Sequence, residues 1–178
     1  MIANAPTLTG KKIKLRPKLI QDAATDYKWR IDPELCHLDA ASTIDSSFKE
    51  FLDRYREQLH FPLPGLRFAI ETMGGKHIGN CSLFNADDSK KAVELGIMIG
   101  DKTFWGQGYG RDVILTLLNY VFTQTDWQHV FLKTLDWNVR AQKCFKKCGF
   151  TSNGMVSYNS LNFILMEINQ PKQQANSR

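Results

Sequence analysis

The feature that most constrains the fold is a glycine-rich loop between a strand pattern and a helix pattern. Glycines alternate with other residues at Gly106, Gly108 and Gly110. Residues 92–99 alternate as a half-buried strand does, and the residues after the loop repeat their apolar positions every three or four. Because glycine has no side chain, another group can approach this loop closely. The chain must therefore bring a strand end, a tight loop and a helix start together.

The same arrangement predicts an anion-binding site, although glycines at this spacing also occur in plain turns. The first N–H groups of a helix have no intrahelical partner and the helix dipole is positive there, so a pyrophosphate is a natural ligand. Two common nucleotide loops are excluded. The sequence has neither GxxxxGK[ST] nor a first-strand GxGxxG followed by an acidic residue about twenty positions later.

The rest of the chain alternates between strand and helix patterns and predicts a mixed sheet in an α/β or α+β domain. Ser47 and Glu50 have the order of a capping box, and Gly149 suits a C-terminal helix cap. Predicted strands cover 12–16, 66–71, 77–84, 92–99, 129–134, 150–158 and 161–168, and predicted helices cover 19–27, 47–60, 110–121 and 138–147. We expect one domain over 1–169 and a polar, disordered tail over 170–178.

The net charge and the hydropathy of the chain indicate which kinds of ligand or partner it can bind. The formal charge of this 178-residue chain is +5, and its basic residues are scattered rather than gathered in a block. This favours an anionic small ligand over nucleic acid, which is not expected as a partner. No apolar run approaches the roughly 18 residues of a membrane span, and the N-terminus lacks the order of a secretory signal. No membrane partner is expected, and the predicted location is cytoplasmic.

The four cysteines do not indicate a metal site or a disulfide framework. Cys36, Cys81, Cys144 and Cys148 form no CxxC pair. Cys144 and Cys148 would share one face of a helix, but His129, the histidine closest to them in sequence, does not complete a zinc spacing. We therefore predict reduced, mostly buried thiols and no metal.

Two segments resemble the GNAT N-acetyltransferase superfamily. Residues 105–110 read Trp-Gly-Gln-Gly-Tyr-Gly and are similar to the family's pyrophosphate loop, Gln/Arg-x-x-Gly-x-Gly/Ala, with Trp105 in place of Gln or Arg. Residues 138–150 resemble the family's Asn-x-x-Ala/Ser…Tyr/Phe…Gly-Phe segment. The Trp-Gly-x-Gly-Tyr wording is most similar to the branch that includes ribosomal-protein N-terminal acetyltransferases. The resemblance implies a mostly antiparallel central sheet of about seven strands flanked by about four helices, splayed between strands 92–99 and 129–134.

The resemblance implies that acetyl-CoA binds in this opening and leaves as CoA after the transfer. No metal is implied. The pantetheine arm would pair with the strand backbone as an added strand, and the pyrophosphate would lie on loop N–H groups. Cofactor contacts are implied for Ile97, Met98, Ile99, Gln107, Gly108, Tyr109, Gly110, Arg111, Asn138, Ala141 and Phe145. Lys102 could add positive charge. Asn138 also suits a helix N-cap, and Phe145 also suits a core position.

Acetyl transfer to an amine needs a neutral amine, a polarised carbonyl and a protonated leaving thiolate. Glu94 is the predicted base, because related enzymes use a glutamate on this strand, often through water; a salt bridge is the alternative for its carboxylate. A backbone N–H near Met98 or Ile99 would polarise the carbonyl. Phe145 stands where many relatives have a tyrosine that protonates the thiolate. Tyr158 is therefore a candidate acid, with a surface strand position as its alternative.

The predicted function is acetyl-CoA-dependent N-acetyltransferase, acting by direct attack of a primary amine on the thioester. The acceptor would be a peptide N-terminus or a small amine, and an α-amine needs less help from a base because its pKa is near 8. The residues suited to bind the acceptor are Trp29, His37, Asp39, Asp45 and Tyr158, with a capped and solvated loop as the alternative for each. Alternatives are a non-catalytic acyl-CoA-binding module and a basic RNA or ribosome-surface binder. A monomer or homodimer is expected.

Overall fold

The architecture is an open, mixed sheet of eight strands. A computed structural model describes residues 5–171. Its strands are β1 (Leu8–Thr9), β2 (Ile13–Pro17), β3 (Leu66–Thr72), β4 (His77–Asp87), β5 (Ala92–Ile99), β6 (His129–Leu135), β7 (Thr151–Tyr158) and β8 (Leu161–Asn169). Their order across the sheet is β1-β2-β3-β4-β5-β6-β8-β7. Every neighbouring pair is antiparallel except β5 with β6.

Five α-helices connect and cover the strands. They are α1 (Ala23–Arg30), α2 (Pro33–Leu38), α3 (Phe48–His60), α4 (Tyr109–Gln124) and α5 (Val139–Lys147), with short 3-10 turns at Ile20–Asp22 and Lys102–Phe104. Local sequence sets their starts. Ser47 and Glu50 form the predicted capping box of α3, and the Asp32 side chain accepts hydrogen bonds from the N–H groups of Glu34 and Leu35 to begin α2.

The core lies between the sheet and the apolar face of α4. This face carries Val113, Ile114, Leu117, Leu118 and Val121, none of which is more than 6% exposed. They pack in one cluster with sheet residues that include Phe68, Ile70, Leu83 and Val93. Burial of each such side chain stabilises the fold by about 1.5–3 kcal/mol, so the start of α4 is held firmly against β5.

The sheet opens between β5 and β6. These strands pair in parallel only over Ala92–Glu94 with His129–Phe131, whereas β5 pairs with β4 from Ala92 to Ile99. From Leu95 onward, one edge of β5 therefore has no strand neighbour. The predicted fold class and the predicted splay are confirmed by this arrangement.

The sequence-based prediction missed β1 and α2. β1 has two residues, too few to show alternation, and α2 has six, too few for a helical repeat. Of the predicted tail, 172–178 lie outside the described residues, whereas Gln170 is bound through its N–H to the carbonyl of Gln128. The single-domain boundary stays a prediction. Within 5–171, no helix is long and apolar enough to cross a membrane.

Candidate active site

A cavity of about 470 Å³ occupies the opening beside β5. Its walls are the free edge of β5, the glycine-rich loop, the first turn of α4 and one face of α5. The Gly100 N–H donates a hydrogen bond to the carbonyl of Ile78 on β4. Because successive residues of a strand direct their N–H groups to opposite edges, those of Ile97 and Ile99 point toward the cavity. An extended ligand can therefore pair with β5 where β6 has departed.

The loop presents unpaired N–H groups to this cavity. Gly106 and Gly108 have φ angles of +72° and +84°, and a Cβ at either position would meet no atom within 4 Å. Gly108 is the N-cap of α4, and the first intrahelical bond runs from the Asp112 N–H to its carbonyl at 3.0 Å. The N–H groups of residues 109–111 precede that bond. This geometry suits a pyrophosphate.

Neighbouring elements fix the loop. The Trp105 Nε1 donates a 2.7 Å hydrogen bond to the carbonyl of Ile99, and the Lys12 Nζ donates a 2.9 Å bond to the carbonyl of Gln107. The Asp112 carboxylate accepts bonds from the backbone N–H groups of Lys11 and Lys12 at 3.2 and 2.7 Å. The acidic side chain nearest the helix start is thus held by backbone donors.

Four cations line the same cavity, which makes it strongly electropositive. They are Arg111 at the start of α4 and Arg140, Lys143 and Lys147 on α5. The Arg140 guanidinium lies over the Trp105 ring, 3.5 Å from its centroid, and so links α5 to the loop. The three α5 cations were not predicted as site residues, although their i, i+3 and i+7 spacing places them on one helix face.

Besides its cations, α5 lines the cavity with a polar residue at its start and with less polar residues further along the helix. The Asn138 Oδ1 accepts a 3.2 Å bond from the Ala141 N–H, so Asn138 is the helix N-cap and also lines the cavity. Phe145 is 7% exposed and packs edge-on against Phe150. Cys144 lines the cavity too; hydrogen bonding to Cys148, with Lys147 and Arg111 nearby, lowers its pKa to about 7.

A second cavity of about 620 Å³ lies on the other side of β5. It is bounded by α1, α3, the 62–67 segment, β4 and β5, and its lining includes Phe51, Leu59 and Phe84. Asp39, Ile97 and Met98 line both cavities. We call the place where these three residues meet the seam. A group held at the seam can be reached from either side.

Asp39 supplies an ionisable group at the seam. Within residues 5–171 its carboxylate accepts no hydrogen bond from a side chain or from the backbone. Although Asp39 keeps an exposed surface, desolvation by the surrounding protein raises its pKa, and the Arg30 guanidinium acts in the opposite direction. A carboxyl with a raised pKa is a better proton acceptor near neutral pH.

A buried ion pair forms part of the wall of the second cavity. The Lys18 Nζ lies 2.5 Å from the Asp26 Oδ2, which also accepts a 3.0 Å bond from the Tyr55 hydroxyl. The Asn80 amide donates to the Asp26 Oδ1 at 2.8 Å. Burial lowers the pKa of Lys18, against the opposing effect of Asp26. The Asp26 carboxylate thus accepts hydrogen bonds from three neighbouring groups.

Comparison with known proteins identifies the fold and the family. Residues 12–151 match the family profile of the acetyltransferase (GNAT) domain. The chain belongs to the GNAT acetyltransferase family. This membership confirms the predicted N-acetyltransferase class, with acetyl-CoA as co-substrate. The resemblance to the ribosomal-protein branch stays a prediction.

Relatives of this GNAT acetyltransferase span most of its length. An uncharacterised N-acetyltransferase, p20 of Bacillus licheniformis, is 23% identical over 154 residues, which cover 84% of this chain and 85% of p20. The structure of spermidine N-acetyltransferase from Vibrio cholerae with CoA and spermine has a TM-score of 0.76 at 21% identity and covers 89% of this chain and 95% of its own. An aminoglycoside acetyltransferase with coenzyme A has a TM-score of 0.73 at 17% identity, covering 88% and 94%.

The structure of this GNAT acetyltransferase brings together all the predicted cofactor residues except one. Gln107 does not line the cavity, and its side chain donates to the carbonyl of Thr103. Lys102 is also turned away, since its Nζ lies 2.8 Å from an Asp32 oxygen and 2.6 Å from a Glu34 oxygen. The remaining residues line the electropositive cavity, and their cofactor contacts stay predictions.

The two predicted catalytic residues lie outside both cavities. The Glu94 carboxylate is 8% exposed, ion-paired with the Lys133 Nζ at 3.0 Å and hydrogen-bonded by the Asn85 amide at 2.8 Å. Tyr158 is 70% exposed, at the end of β7. The structure thus gives Glu94 the salt bridge and Tyr158 the surface position that were their alternatives. Their catalytic roles stay predictions.

Asp39 is the one residue predicted to read the acceptor that lines these two cavities; Trp29, His37, Asp45 and Tyr158 line neither. Trp29 is 7% exposed and packs against His77, and His37 stacks on Trp137 with 4.3 Å between ring centroids. The described residues contain no group of three or more His, Cys, Asp or Glu side chains that could hold a metal ion.

Proposed function

We propose that acetyl-CoA binds in the electropositive cavity and that a primary amine enters through the second cavity and attacks the thioester at the seam. The observation that carries this proposal is the wall shared by the two cavities at Asp39, Ile97 and Met98. Direct transfer needs donor and acceptor to approach from opposite sides of one point. Holding both reactants there removes much of the entropic barrier.

The electropositive cavity supplies complementary partners for each part of acetyl-CoA. The N–H groups of residues 109–111 and the α4 dipole suit the pyrophosphate, and Arg111, Arg140, Lys143 and Lys147 suit the further phosphate charge. The free edge of β5 suits the amide groups of the pantetheine arm. The N–H of Ile97 or Ile99, turned toward the cavity, can donate to the thioester oxygen as negative charge develops there.

The ammonium must lose a proton before it attacks, and Asp39 is the group we propose as the acceptor of that proton. Its carboxylate lies at the seam and is not committed to another side chain of the described residues. Glu94 lies four residues before Met98, roughly 13 Å along the strand, and is paired with Lys133. Distance and pairing both favour Asp39 over Glu94.

The test of the function is an acceptor panel with acetyl-CoA, read by release of free thiol and by the mass of the product. Transfer to at least one primary amine with a product mass raised by one acetyl group is the expected result. Saturable CoA binding without turnover on any acceptor would instead favour the acyl-CoA-binding module, which the absence of a hydroxyl at Phe145 also suits.

The two candidate bases are distinguished by their pH profiles. Asp39→Asn is expected to lower kcat/KM roughly 100-fold and to remove the acidic limb of the profile, since a positioned base contributes on that order. Glu94→Gln is the comparison, because it keeps the side-chain volume and changes the other carboxylate. An unaltered profile in Asp39→Asn together with a lost acidic limb in Glu94→Gln would reverse the assignment.

A further inference from the structure

In the second cavity, where the acceptor amine would bind, more positive than negative side chains lack an ion-pair partner. Its lining includes three cations, Lys18, Arg30 and Arg67, and two carboxylates, Asp26 and Asp39. Lys18 and Asp26 form the buried ion pair described above, so their charges cancel within the wall. Two guanidinium groups and one carboxylate remain for a ligand.

Neither guanidinium is neutralised by the surrounding protein. In the part of the chain that the structure describes, the side chain of half-buried Arg30 forms no ion pair within 4.0 Å. Arg67 is exposed, and its Nη1 donates a 3.2 Å bond to the carbonyl of Pro64, a neutral acceptor. An anionic partner stabilises a half-buried cation, so Arg30 suits a carboxylate from outside the chain. The exposed Arg67 can add a second contact to the same carboxylate.

This charge pattern does not suit a polyamine. A polyamine carries several ammonium groups, and each one enclosed by protein needs an acceptor or an anionic partner. Asp26 already accepts from Lys18, Tyr55 and Asn80, which leaves Asp39 alone against two arginines. The cavity therefore differs in charge from what the spermine or spermidine named for several relatives would require.

Much of the remaining lining of the cavity is apolar. Phe51 and Leu59 project from α3, Phe84 from β4, and Leu63 from the segment after α3. Leu63 keeps 55% and Leu59 keeps 37% of its surface exposed, so apolar surface also reaches the mouth of the cavity. Covering this surface with an apolar group of the ligand would contribute about 25 cal/mol per Å² buried.

We propose, building on the proposed function, that the acceptor is an α-amino acid with an apolar side chain. Its amine would lie at the seam beside Asp39, its carboxylate would bind Arg30 with Arg67 at the mouth, and its side chain would cover Phe51 and Phe84. Arg30 suits the role because it lines the same cavity as Asp39 and has no ion-pair partner among the described residues. A positive and a negative side chain in one cavity match the ammonium and the carboxylate that an amino acid carries on its α-carbon.

The experiment compares L-phenylalanine, phenethylamine and spermidine as acceptors at saturating acetyl-CoA. Phenethylamine is phenylalanine without its carboxylate, so the pair isolates the group that the arginines would bind. We expect kcat/KM for phenylalanine to exceed that for phenethylamine and for spermidine at least tenfold, because a site built for a charged group discriminates strongly against ligands that lack it.

Arginine variants test whether binding of the substrate carboxylate causes the preference for phenylalanine over phenethylamine. Both Arg30→Gln and Arg67→Gln are expected to lower the ratio of kcat/KM for phenylalanine to kcat/KM for phenethylamine. The decrease should be at least tenfold in one variant and measurable in the other. Each amine is compared with itself across the enzymes, so differences in amine pKa cancel. Arg54→Gln is the matched control, since Arg54 is an exposed arginine of α3 that does not line the cavity and donates to Ser46.

The outcomes separate this inference from the function on which it rests. Faster transfer to spermidine than to phenylalanine, or a ratio unaffected by both arginine variants, would overturn the amino acid assignment and leave the acetyltransferase intact. No transfer to any amine on the wider panel would overturn the proposed function itself. A ratio that falls in Arg54→Gln as much as in Arg30→Gln would show a general charge effect and would also overturn the assignment.

Discussion

Replacing Gly108 with Asp tests whether the glycine-rich loop holds a pyrophosphate. Gly108 has φ of +84° and its missing Cβ faces open space, so the new side chain would enter the volume assigned to the ligand. Its carboxylate would also compete for the N–H groups of the first turn of α4. The variant therefore adds a like charge and an internal competitor at the same place.

The size of the effect follows from Coulomb's law. A carboxylate about 5 Å from one pyrophosphate charge costs roughly 3 kcal/mol at an effective dielectric constant of 20, and roughly 1 kcal/mol if water screens the pair fully. CoA affinity should therefore fall by roughly 5- to 150-fold. Gly108→Asn adds a similar volume without the charge and should weaken binding less.

Gly75 provides a matched control for the backbone. It also has φ of +84°, and a Cβ there would meet no atom within 4 Å, but it lies in the turn between β3 and β4. Gly75→Asp and Gly108→Asp should each lower the free energy of unfolding by roughly 1–2 kcal/mol, the cost of a left-handed residue with a side chain. Only Gly108→Asp should weaken CoA binding.

Isothermal titration with CoA and thermal unfolding of the same preparations measure the two effects separately. Unchanged CoA affinity in Gly108→Asp would refute the placement of the pyrophosphate. Equal weakening in Gly75→Asp would show that the loss comes from general destabilisation and would refute it as well.

Two further predictions concern ionisable groups away from the loop glycines. The pKa of Cys144 is lowered to about 7, so its alkylation by iodoacetamide should accelerate as pH rises through 7, and CoA should protect it. Mass spectrometry locates the modified cysteine, and modification of buried Cys36 in preference to Cys144 would contradict this prediction. Burial alone would raise the pKa of Asp22, but hydrogen bonds from Arg16 and Leu19 lower it, so its stabilising effect is present above the unfolded-state pKa and is lost as pH falls through the folded-state pKa. Asp22→Asn should cost about 3 kcal/mol near neutral pH, because Arg16 loses a buried partner, and should cost less in acid, as measured by denaturant unfolding.

Local signals in the sequence were sufficient for most of the fold. The capping box at Ser47, the apolar spacing along α4 and the alternation of β5 each depend on neighbouring residues, and each is confirmed. The position of the glycine-rich loop was also predictable, because the strand end before it and the helix start after it are contiguous in the chain. Periodicity fails where an element is very short, as with β1 and α2.

The composition of the site depends on contacts between distant segments, which one sequence does not show. Alternation places Glu94 on the same face of β5 as Met98, but only the structure shows that Lys133 of β6 covers it. Asp39 reaches the seam because α2, which the sequence did not reveal, ends beside β5. The convergence of Arg111 with the α5 cations likewise depends on how α4 and α5 pack.

The attachment of the N-terminal segment to the loop has a practical consequence. The backbone N–H groups of Lys11 and Lys12 donate to the Asp112 carboxylate, and the Lys12 ammonium donates to the Gln107 carbonyl, so this segment supports the loop that we propose binds the pyrophosphate. Trimming or fusing the chain just before residue 11 would disturb nucleotide affinity as well as folding. Ligand-binding work on this enzyme therefore needs a chain in which the segment before β2 is intact.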